Sequence, residues 1–453
     1  MRSEWSCSAF IESLQTVVFL ERASAHILAG CLPRIRGFAT KLAVSHHLYE
    51  GMAQAYRMRD VLLGLDYRSS GLLLASSDDV HLMKSVDGLL GVERVLAVIY
   101  LGVKPRLADE YRWLFSHVDS LLDSQLLSAL TSYLPQIETH AQWGTKTLTR
   151  YASAPGVIEH VTRITERWRS AISGRQLPLD QVMWTPLSRA PAALRPRSLK
   201  RGDNGALPIM PRDTLRDPQG IGIFLHNSIN EEYTTLELMG RNSYEHPDMP
   251  WAFHLSLARQ VADEARHAQI LERLADDVNV RYGDHPIYVT NYDMLYSYDH
   301  CEPGSKRELL WRLLLRSTYQ EALSLDFLAF EIKKREFLHQ PKMARAFCYI
   351  LADELFHVES GIRWSRAIAE SHGFDVLTER RDAREYYLAR ESHERLRFIA
   401  RYPERFVAEM KRRQEPRKAS ELPFGIQFES DLRRRAGFSD ADLEQAQRWD
   451  VYS

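Results

Sequence analysis

Apolar residues recur at helical spacing through most of this chain of 453 residues. Residues 1–172 and 220–370 both show the pattern, and neither shows the apolar–polar alternation of half-buried strands. Between them, 173–219 contains seven prolines, a density that excludes a long helix or an inner strand. The pattern predicts an all-α protein: a helical domain at 1–172, a proline-rich linker at 173–219, a second helical domain at 220–370 and a helical C-terminal extension at 371–453.

Four helical stripes of the 220–370 domain each carry a glutamate where a core residue is expected. These are Glu232, Glu264, Glu321 and Glu354. Burying unpaired carboxylates is costly and should raise their pKa values when no cation is bound. Few basic residues share the stripes, so metal ions are the expected counter-charge. Glu231 and Glu237 are alternatives to Glu232, but they lie about 100° and about 140° off its stripe.

Two of the stripes also contain histidine, in the motif Glu-x-x-His. Glu264 with His267, and Glu354 with His357, each project from one helix face about one turn apart. Four carboxylates and two imidazoles form the ligand set of a dinuclear iron or manganese site. The predicted metal ligands are therefore Glu232, Glu264, His267, Glu321, Glu354 and His357, and the four glutamates are also the predicted catalytic residues.

Spacing along the chain supports this grouping. Thirty-two residues separate Glu232 from Glu264 (264 − 232), and 33 separate Glu321 from Glu354 (354 − 321), one helical hairpin in each case. The connection at 277–306 is long enough to serve as the single crossover of a ferritin-like bundle. Asp263 and Asp353 precede the two motifs, and each is expected to accept the outer N–H of a ligand histidine from a neighbouring helix.

The order of these motifs resembles the ferritin-like di-iron carboxylate superfamily, which includes rubrerythrins, bacterial multicomponent monooxygenases and tRNA hydroxylases. Asp263-Glu-Ala-Arg-His267 is similar to the Asp-Glu-x-Arg-His signature of the oxygenases. A closer resemblance, over roughly 210–445, is to a ferritin-like family of bacterial proteins known chiefly as a domain of unknown function. It rests on Glu321-Ala-Leu-Ser-Leu-Asp326, Asp353-Glu-Leu-Phe-His-Val358 and Ala436-Gly-Phe-Ser. The resemblance implies a ferritin-like four-helix bundle and does not identify a substrate.

The expected activity follows from the metal centre. Two iron ions are expected, with manganese or a mixed iron–manganese pair as alternatives, and O2 is the expected co-substrate. We expect an oxygenase or oxidase that acts on a small organic substrate in specialised metabolism, with an electron donor or reductase as a partner. The alternatives are a tRNA-modifying hydroxylase and a non-catalytic metal-binding or scaffold protein. A long linker and an elaborated tail argue against an iron-storage cage.

The N-terminal domain contains traces of the same arrangement. Glu21 lies in an apolar helix, and His47 and Glu50 form the motif in reverse order. Ile137 stands three residues before His140, where an intact motif requires glutamate. A degenerate ferritin-like bundle and an unrelated helical domain both fit this pattern, without a second working metal site. We expect the domain to cover the metal bundle or to form a homodimer interface.

Net charge limits the kinds of binding partner to be expected, and the cysteine content indicates the cellular compartment. The formal net charge is −1, which gives no reason to expect binding to nucleic acid or to a membrane. The four cysteines are too far apart for a disulfide framework or a zinc knuckle, which favours a reducing, cytoplasmic location. The crossover is rich in tyrosine, which predicts either a packed loop or an aromatic lid. Its tyrosines are Tyr282, Tyr288, Tyr292, Tyr296 and Tyr298.

Overall fold

Helices dominate the computed structural model of the protein, and the all-α class is confirmed. The structure describes residues 7–64, 74–120, 123–169, 176–178, 218–285, 301–401 and 425–448. Most of the predicted linker and four of the five crossover tyrosines, all but Tyr282, lie outside these residues. None of the helices in the described ranges has the length and apolar content needed to cross a bilayer.

The described elements are numbered here in chain order. The helices of the first half are α1 (Cys7–Cys31), α2 (Phe38–Gly64), α3 (Ser77–Asp87), α4 (Val92–Val98), α5 (Lys104–His117), α6 (Ser124–Leu148) and α7 (Val157–Arg169). Those of the second half are α8 (Pro218–Glu245), α9 (Trp251–Asp276), α10 (Lys306–Leu313), α11 (Glu321–Phe337), α12 (Pro341–His372), α13 (Val376–Arg401), α14 (Ser430–Arg435) and α15 (Asp440–Gln447). Short 3₁₀ turns occupy Leu32–Arg34 and Thr149–Tyr151.

Two π-helical segments interrupt this α-helical series. One, Ile99–Val103, joins α4 to α5, and the other, Leu314–Gln320, joins α10 to α11. Two strands of three residues, β1 (Leu74–Ser76) and β2 (Gln176–Pro178), pair antiparallel. This small ribbon is the only strand pairing in the described ranges, and the sequence pattern gave no sign of it because three residues are too few to show alternation.

The chain divides into two compact units, and each unit draws on two stretches of sequence. The first consists of Met1–Ser188 with Leu236–Ala262, and the second of Arg189–Thr235 with Asp263–Ser453. The division passes through α8 and α9, so each of these helices contributes residues to both units. The domain limits expected from the sequence remain a prediction.

In the first unit, four long helices pack around one core. Helix α1 packs against α2 and α5, and α6 packs against α2 and α5. The helices are apolar on their inner faces; Pro105 is the second residue of α5, and Pro135 lies inside α6. The core they enclose also buries several charged side chains, among them Glu21 and Lys104.

In the second unit, α11 and α12 form a hairpin, and the π segment before α11 packs against α12 and α13. Phe224 on α8 contacts Phe327 on α11 and Phe347 on α12, with ring centroids 6.0 and 6.1 Å apart. These aromatic contacts hold the first helix of the unit against the hairpin.

The C-terminal segment braces the outer side of this hairpin. Ala436, Phe438 and Leu443 join a buried apolar cluster with residues of α11 and α12, including Ala322 and Val358. Ala322 and Val358 directly follow the predicted ligands of their helices in sequence. The Ala436-Gly-Phe-Ser motif therefore supports the two helices that carry half of the predicted metal ligands.

A buried ion pair fixes the same segment. Arg433 of α14 donates to Asp326 of α11 over 2.5 Å, and both side chains are almost fully buried. Removing either partner would leave the other charge uncompensated, which typically costs about 3–5 kcal/mol. Helix α15 then begins at a capping box formed by Ser439 and Asp442.

Candidate metal centre

The six predicted ligands all lie in the second unit, and the structure brings them together. Their side chains form two overlapping groups in which one ligand atom from each residue lies within 4.8 Å of the others. The first group is Glu232, Glu264, His267 and Glu354, and the second is Glu264, Glu321 and His357. Because Glu264 belongs to both groups, the arrangement offers two adjacent cation positions with a shared carboxylate.

Both histidines direct the same nitrogen at the carboxylates. His267 Nδ1 lies 3.2 Å from Glu264 Oε2 and 3.6 Å from Glu354 Oε1. His357 Nδ1 lies 3.2 Å from Glu354 Oε2 and 3.4 Å from Glu264 Oε1. The helical spacing of Glu-x-x-His produces the short contact within each motif, and the packing of α9 against α12 produces the contact between motifs.

The other nitrogen of each histidine faces an aspartate from the opposite motif. His267 Nε2 lies 3.1 Å from Asp353 Oδ2, and His357 Nε2 lies 3.4 Å from Asp263 Oδ2. Arg266 donates to both aspartates, over 2.8 Å to Asp263 and 2.5 Å to Asp353. An aspartate in this place holds the imidazole N–H on Nε2 and leaves the Nδ1 lone pair available to a metal ion.

Burial and neighbouring charges shift the pKa values of the glutamates in different directions. Burial raises the pKa of Glu232 to about 8, with Glu264 adding to the effect. Burial likewise raises the pKa of Glu321 well above its usual value, although Arg316 opposes the shift. Burial also acts to raise the pKa of Glu264, but the charge of His357 and the hydrogen bond to His267 outweigh it and lower that pKa. The expectation that every buried glutamate has a raised pKa without metal is therefore wrong for Glu264, because it lies between both imidazoles.

The two histidines gain proton affinity in the same surroundings. Burial alone would lower the pKa of His267, but hydrogen bonds to Asp353 and Glu232 raise it well above the usual value. For His357 the charges of Glu354 and Glu264 likewise outweigh burial and raise the pKa. Without a metal ion, protons on these groups supply the positive charge, so metal binding must release protons.

Comparison with known proteins places this site within a family. A family described as "Protein of unknown function (DUF455)" matches residues 158–444, more than half of the chain. The chain belongs to the DUF455 family. No curated protein and no solved structure matches it. The family description assigns no activity, so the function of this DUF455 protein has to be argued from the site.

One charged residue at the site escaped the sequence analysis. Arg316 is buried, and its Nε lies 3.2 Å from Glu321 Oε1. Its Nη1 donates a hydrogen bond to Gln320 Oε1 over 3.1 Å, and its Nη2 donates one to the hydroxyl of Thr235 on α8. Five residues separate Arg316 from Glu321, which places them on different faces of an α-helix but on one face of a π-helix. Helical periodicity did not place Arg316 beside Glu321 because it assumes an unbroken α-helix.

The structure also separates the alternatives to Glu232. Glu231 is half-exposed, and its carboxylate lies 4.0 Å from Arg316 Nη1. Glu237 is buried in the first unit, where it forms an ion pair with Lys41. Only Glu232 of the three belongs to a ligand group in the DUF455 chain.

Tyrosine packs beside the cluster. Tyr282, the one crossover tyrosine that the structure describes, stacks on Tyr233 with ring centroids 5.0 Å apart and donates to Asn230 over 2.8 Å. Tyr233 in turn donates to Glu272 over 2.9 Å. At Tyr282 the contacts are those of a packed loop.

Proposed function

We propose that this DUF455 protein is a non-haem di-iron oxidoreductase, an O2-dependent oxygenase or oxidase that acts on a small organic substrate. In this proposal a ferritin-like four-helix bundle formed by α8, α9, α11 and α12 holds the two metal ions. The observation that carries the proposal is the pair of overlapping ligand groups that share Glu264, with Nδ1 of both histidines directed at the carboxylates.

The donor set fits iron or manganese. Glu232, Glu264, Glu354 and His267 would hold one ion, and Glu264, Glu321 and His357 the other. Carboxylate oxygens with imidazole nitrogens suit these metals, whereas thiolates, which favour zinc, copper or iron–sulfur clusters, are absent from both groups. Two cations would neutralise the buried carboxylates, of which Glu232 and Glu321 otherwise have pKa values raised by burial.

When bound, two ferrous ions would supply the electrons that reduce O2, and residues of the chain would hold and orient their ligands. Asp353 and Asp263 hold the N–H of each imidazole, and Arg316 holds Glu321 in place. The ligand side chains are buried except for Glu232, which is 13% exposed. We therefore expect O2 and substrate to approach from the side of Glu232 on α8.

Charge near the site favours a small substrate over tRNA. A tRNA hydroxylase needs cationic side chains that are available to phosphate. The half-exposed Arg266 instead binds Asp263 and Asp353, and the half-exposed Glu231 adds a negative charge beside the opening. Oxidation of an organic substrate would also require the electron donor expected above whenever O2 takes up more electrons than the substrate supplies.

The test combines metal analysis with O2 consumption. Purified chain loaded with Fe²⁺ without oxygen should contain about two iron ions and consume O2 when it is admitted. His267→Ala should lose at least one iron and the O2 consumption, whereas His372→Ala, an exposed histidine at the end of α12, should keep both. A wild-type chain that binds no iron, or a His267→Ala variant with the iron and O2 consumption of the wild type, would refute the proposal.

A further inference from the structure

Five residues of the metal centre correspond to five residues of the first unit that lie at a constant separation in the sequence. The separation is 217 residues (321 − 104 and 357 − 140), and no insertion or deletion changes it from the second helix to the fourth. The corresponding pairs are His47 with Glu264, Glu50 with His267, Lys104 with Glu321, Ile137 with Glu354, and His140 with His357.

The local backbone repeats as well. The first π segment, Ile99–Val103, ends directly before Lys104, and the second, Leu314–Gln320, ends directly before Glu321. π-helical segments are rare in proteins and are often associated with functional sites. Two of them at equivalent places are therefore a second sign that the units share one design.

Helix packing gives a third sign. A Cβ built on Gly361 would lie 2.3 Å from Ser317 Cβ, so α12 approaches the π segment at a distance that only glycine permits. A Cβ on Gly144 of α6 would lie 2.3 Å from Tyr100 Cβ in the same way. Both pairs, Gly361 with Gly144 and Ser317 with Tyr100, are again 217 residues apart (361 − 144 and 317 − 100).

What differs between the units is charge. Lys104 and Ile137 stand where the second unit has Glu321 and Glu354, so two carboxylates are missing and one ammonium has been added. Lys104 Nζ lies 2.9 Å from Glu21 Oε2, and both side chains are fully buried. Tyr111 also donates to Glu21, over 3.3 Å. The buried carboxylate of Glu21 is thus paired with the ammonium group of a lysine side chain and not with a metal ion.

The imidazoles of the first unit complete the contrast. His140 Nε2 contacts Glu50 Oε2 over 2.5 Å, and His47 Nδ1 contacts the hydroxyl of Tyr100 over 2.9 Å. Burial lowers the pKa of both histidines to about 2, and the charge of Lys104 contributes at each. The shift is opposite in direction to that of the two histidines in the second unit, whose pKa values neighbouring carboxylates raise.

We propose that the first unit contains a metal-free counterpart of the metal centre, in which the ammonium of Lys104 replaces the metal ions as the positive charge of the core. The comparison takes the cluster of the second unit to be the metal centre proposed above. A fixed ammonium neutralises Glu21 and repels a divalent cation, so the first unit keeps its fold without metal.

Restoring the missing carboxylates tests the proposal directly. Lys104→Glu combined with Ile137→Glu gives the first unit four carboxylates and two imidazoles, with Glu21, His47, Glu50 and His140 already present. The full chain with both substitutions should bind at least one Co²⁺ more than the wild type, measured by metal analysis after gel filtration. Lys146→Glu, at an exposed position of α6, should leave the Co²⁺ content unchanged. A folded double variant with no additional Co²⁺, or a wild type whose Co²⁺ content falls on Glu21→Gln, would overturn the proposal.

Thermal unfolding in EDTA provides a readout that needs no metal binding. Lys104→Met should lower the melting temperature because Glu21 loses its counter-charge, and adding Glu21→Gln to it should restore most of the loss. A Lys104→Met variant as stable as the wild type would overturn the role of Lys104. A wild type that binds no metal while this stability pattern holds would contradict the proposed function of the second unit and not the role of Lys104.

Discussion

Glu232→Gln tests whether the cluster holds protons when no metal is bound. Burial raises the pKa of Glu232 to about 8 from its ordinary value of 4.5. At neutral pH the side chain is then protonated in the folded chain and ionised in the unfolded chain. Because the folded-state pKa is the higher one, the stability that this group contributes is present at acid pH and is lost as pH rises from 4.5 towards 8.

The size of the effect follows from the pKa difference. Each pKa unit corresponds to about 1.4 kcal/mol, so the 2.5 units between 4.5 and pH 7 amount to about 3 kcal/mol. Glutamine resembles the protonated side chain and has no ionisation to lose. In EDTA the variant should therefore be more stable than the wild type by about 3 kcal/mol at pH 7, and about equal to it near pH 4.5.

Urea denaturation followed by circular dichroism, in EDTA across that pH range, measures the difference. Glu231→Gln is the matched control, because Glu231 is the adjacent residue and is half-exposed, so its substitution should change stability little. With Mn²⁺ present the order should reverse, since Glu232→Gln has lost a ligand that the wild type keeps. A Glu232→Gln variant less stable than the wild type in EDTA at pH 7, or a difference that does not vary with pH, would refute the reasoning.

Three further predictions concern individual contacts of the site. Asp353→Asn replaces a histidine N–H acceptor and should weaken metal affinity by about 10–100-fold in a competition titration with a chelator; an unchanged affinity would deny Asp353 that role. Arg316→Gln removes the cation that competes with a metal ion for Glu321, so calorimetry should show tighter binding at the position that contains Glu321, and an identical isotherm would contradict this. Glu354→Ala should abolish O2 consumption, whereas His140→Ala should retain most of it. The opposite result would show that the active site lies in the first unit.

Helical periodicity was sufficient to find the ligand groups. A glutamate in an apolar stripe is costly, and four of them at hairpin spacing have few explanations other than a shared cation. The same periodicity predicted α8, α9, α11 and α12. Where the helices are regular, spacing in the sequence translates directly into proximity.

The positions of other charged residues depend on features that helical periodicity does not show. The π segment before Glu321 changes the number of residues per turn and turns Arg316 towards the carboxylate. Glu237 lies off the stripe and is nevertheless buried, because Lys41 neutralises it. In the first unit, sequence spacing pointed to His47, Glu50 and His140 but not to Lys104, because the charge of Lys104 is opposite to that of Glu321 at the equivalent position.

Whether the second unit is a di-iron centre is tested most directly by counting metal ions and O2 in one sample. The chain is freed of metal, loaded with Fe²⁺ without oxygen, passed through a desalting column and mixed with a known amount of O2. The account predicts about two iron ions per chain and O2 consumption in proportion to the bound iron. A chain that retains no iron after desalting, or that retains two ferrous ions and leaves the O2 untouched, would contradict it.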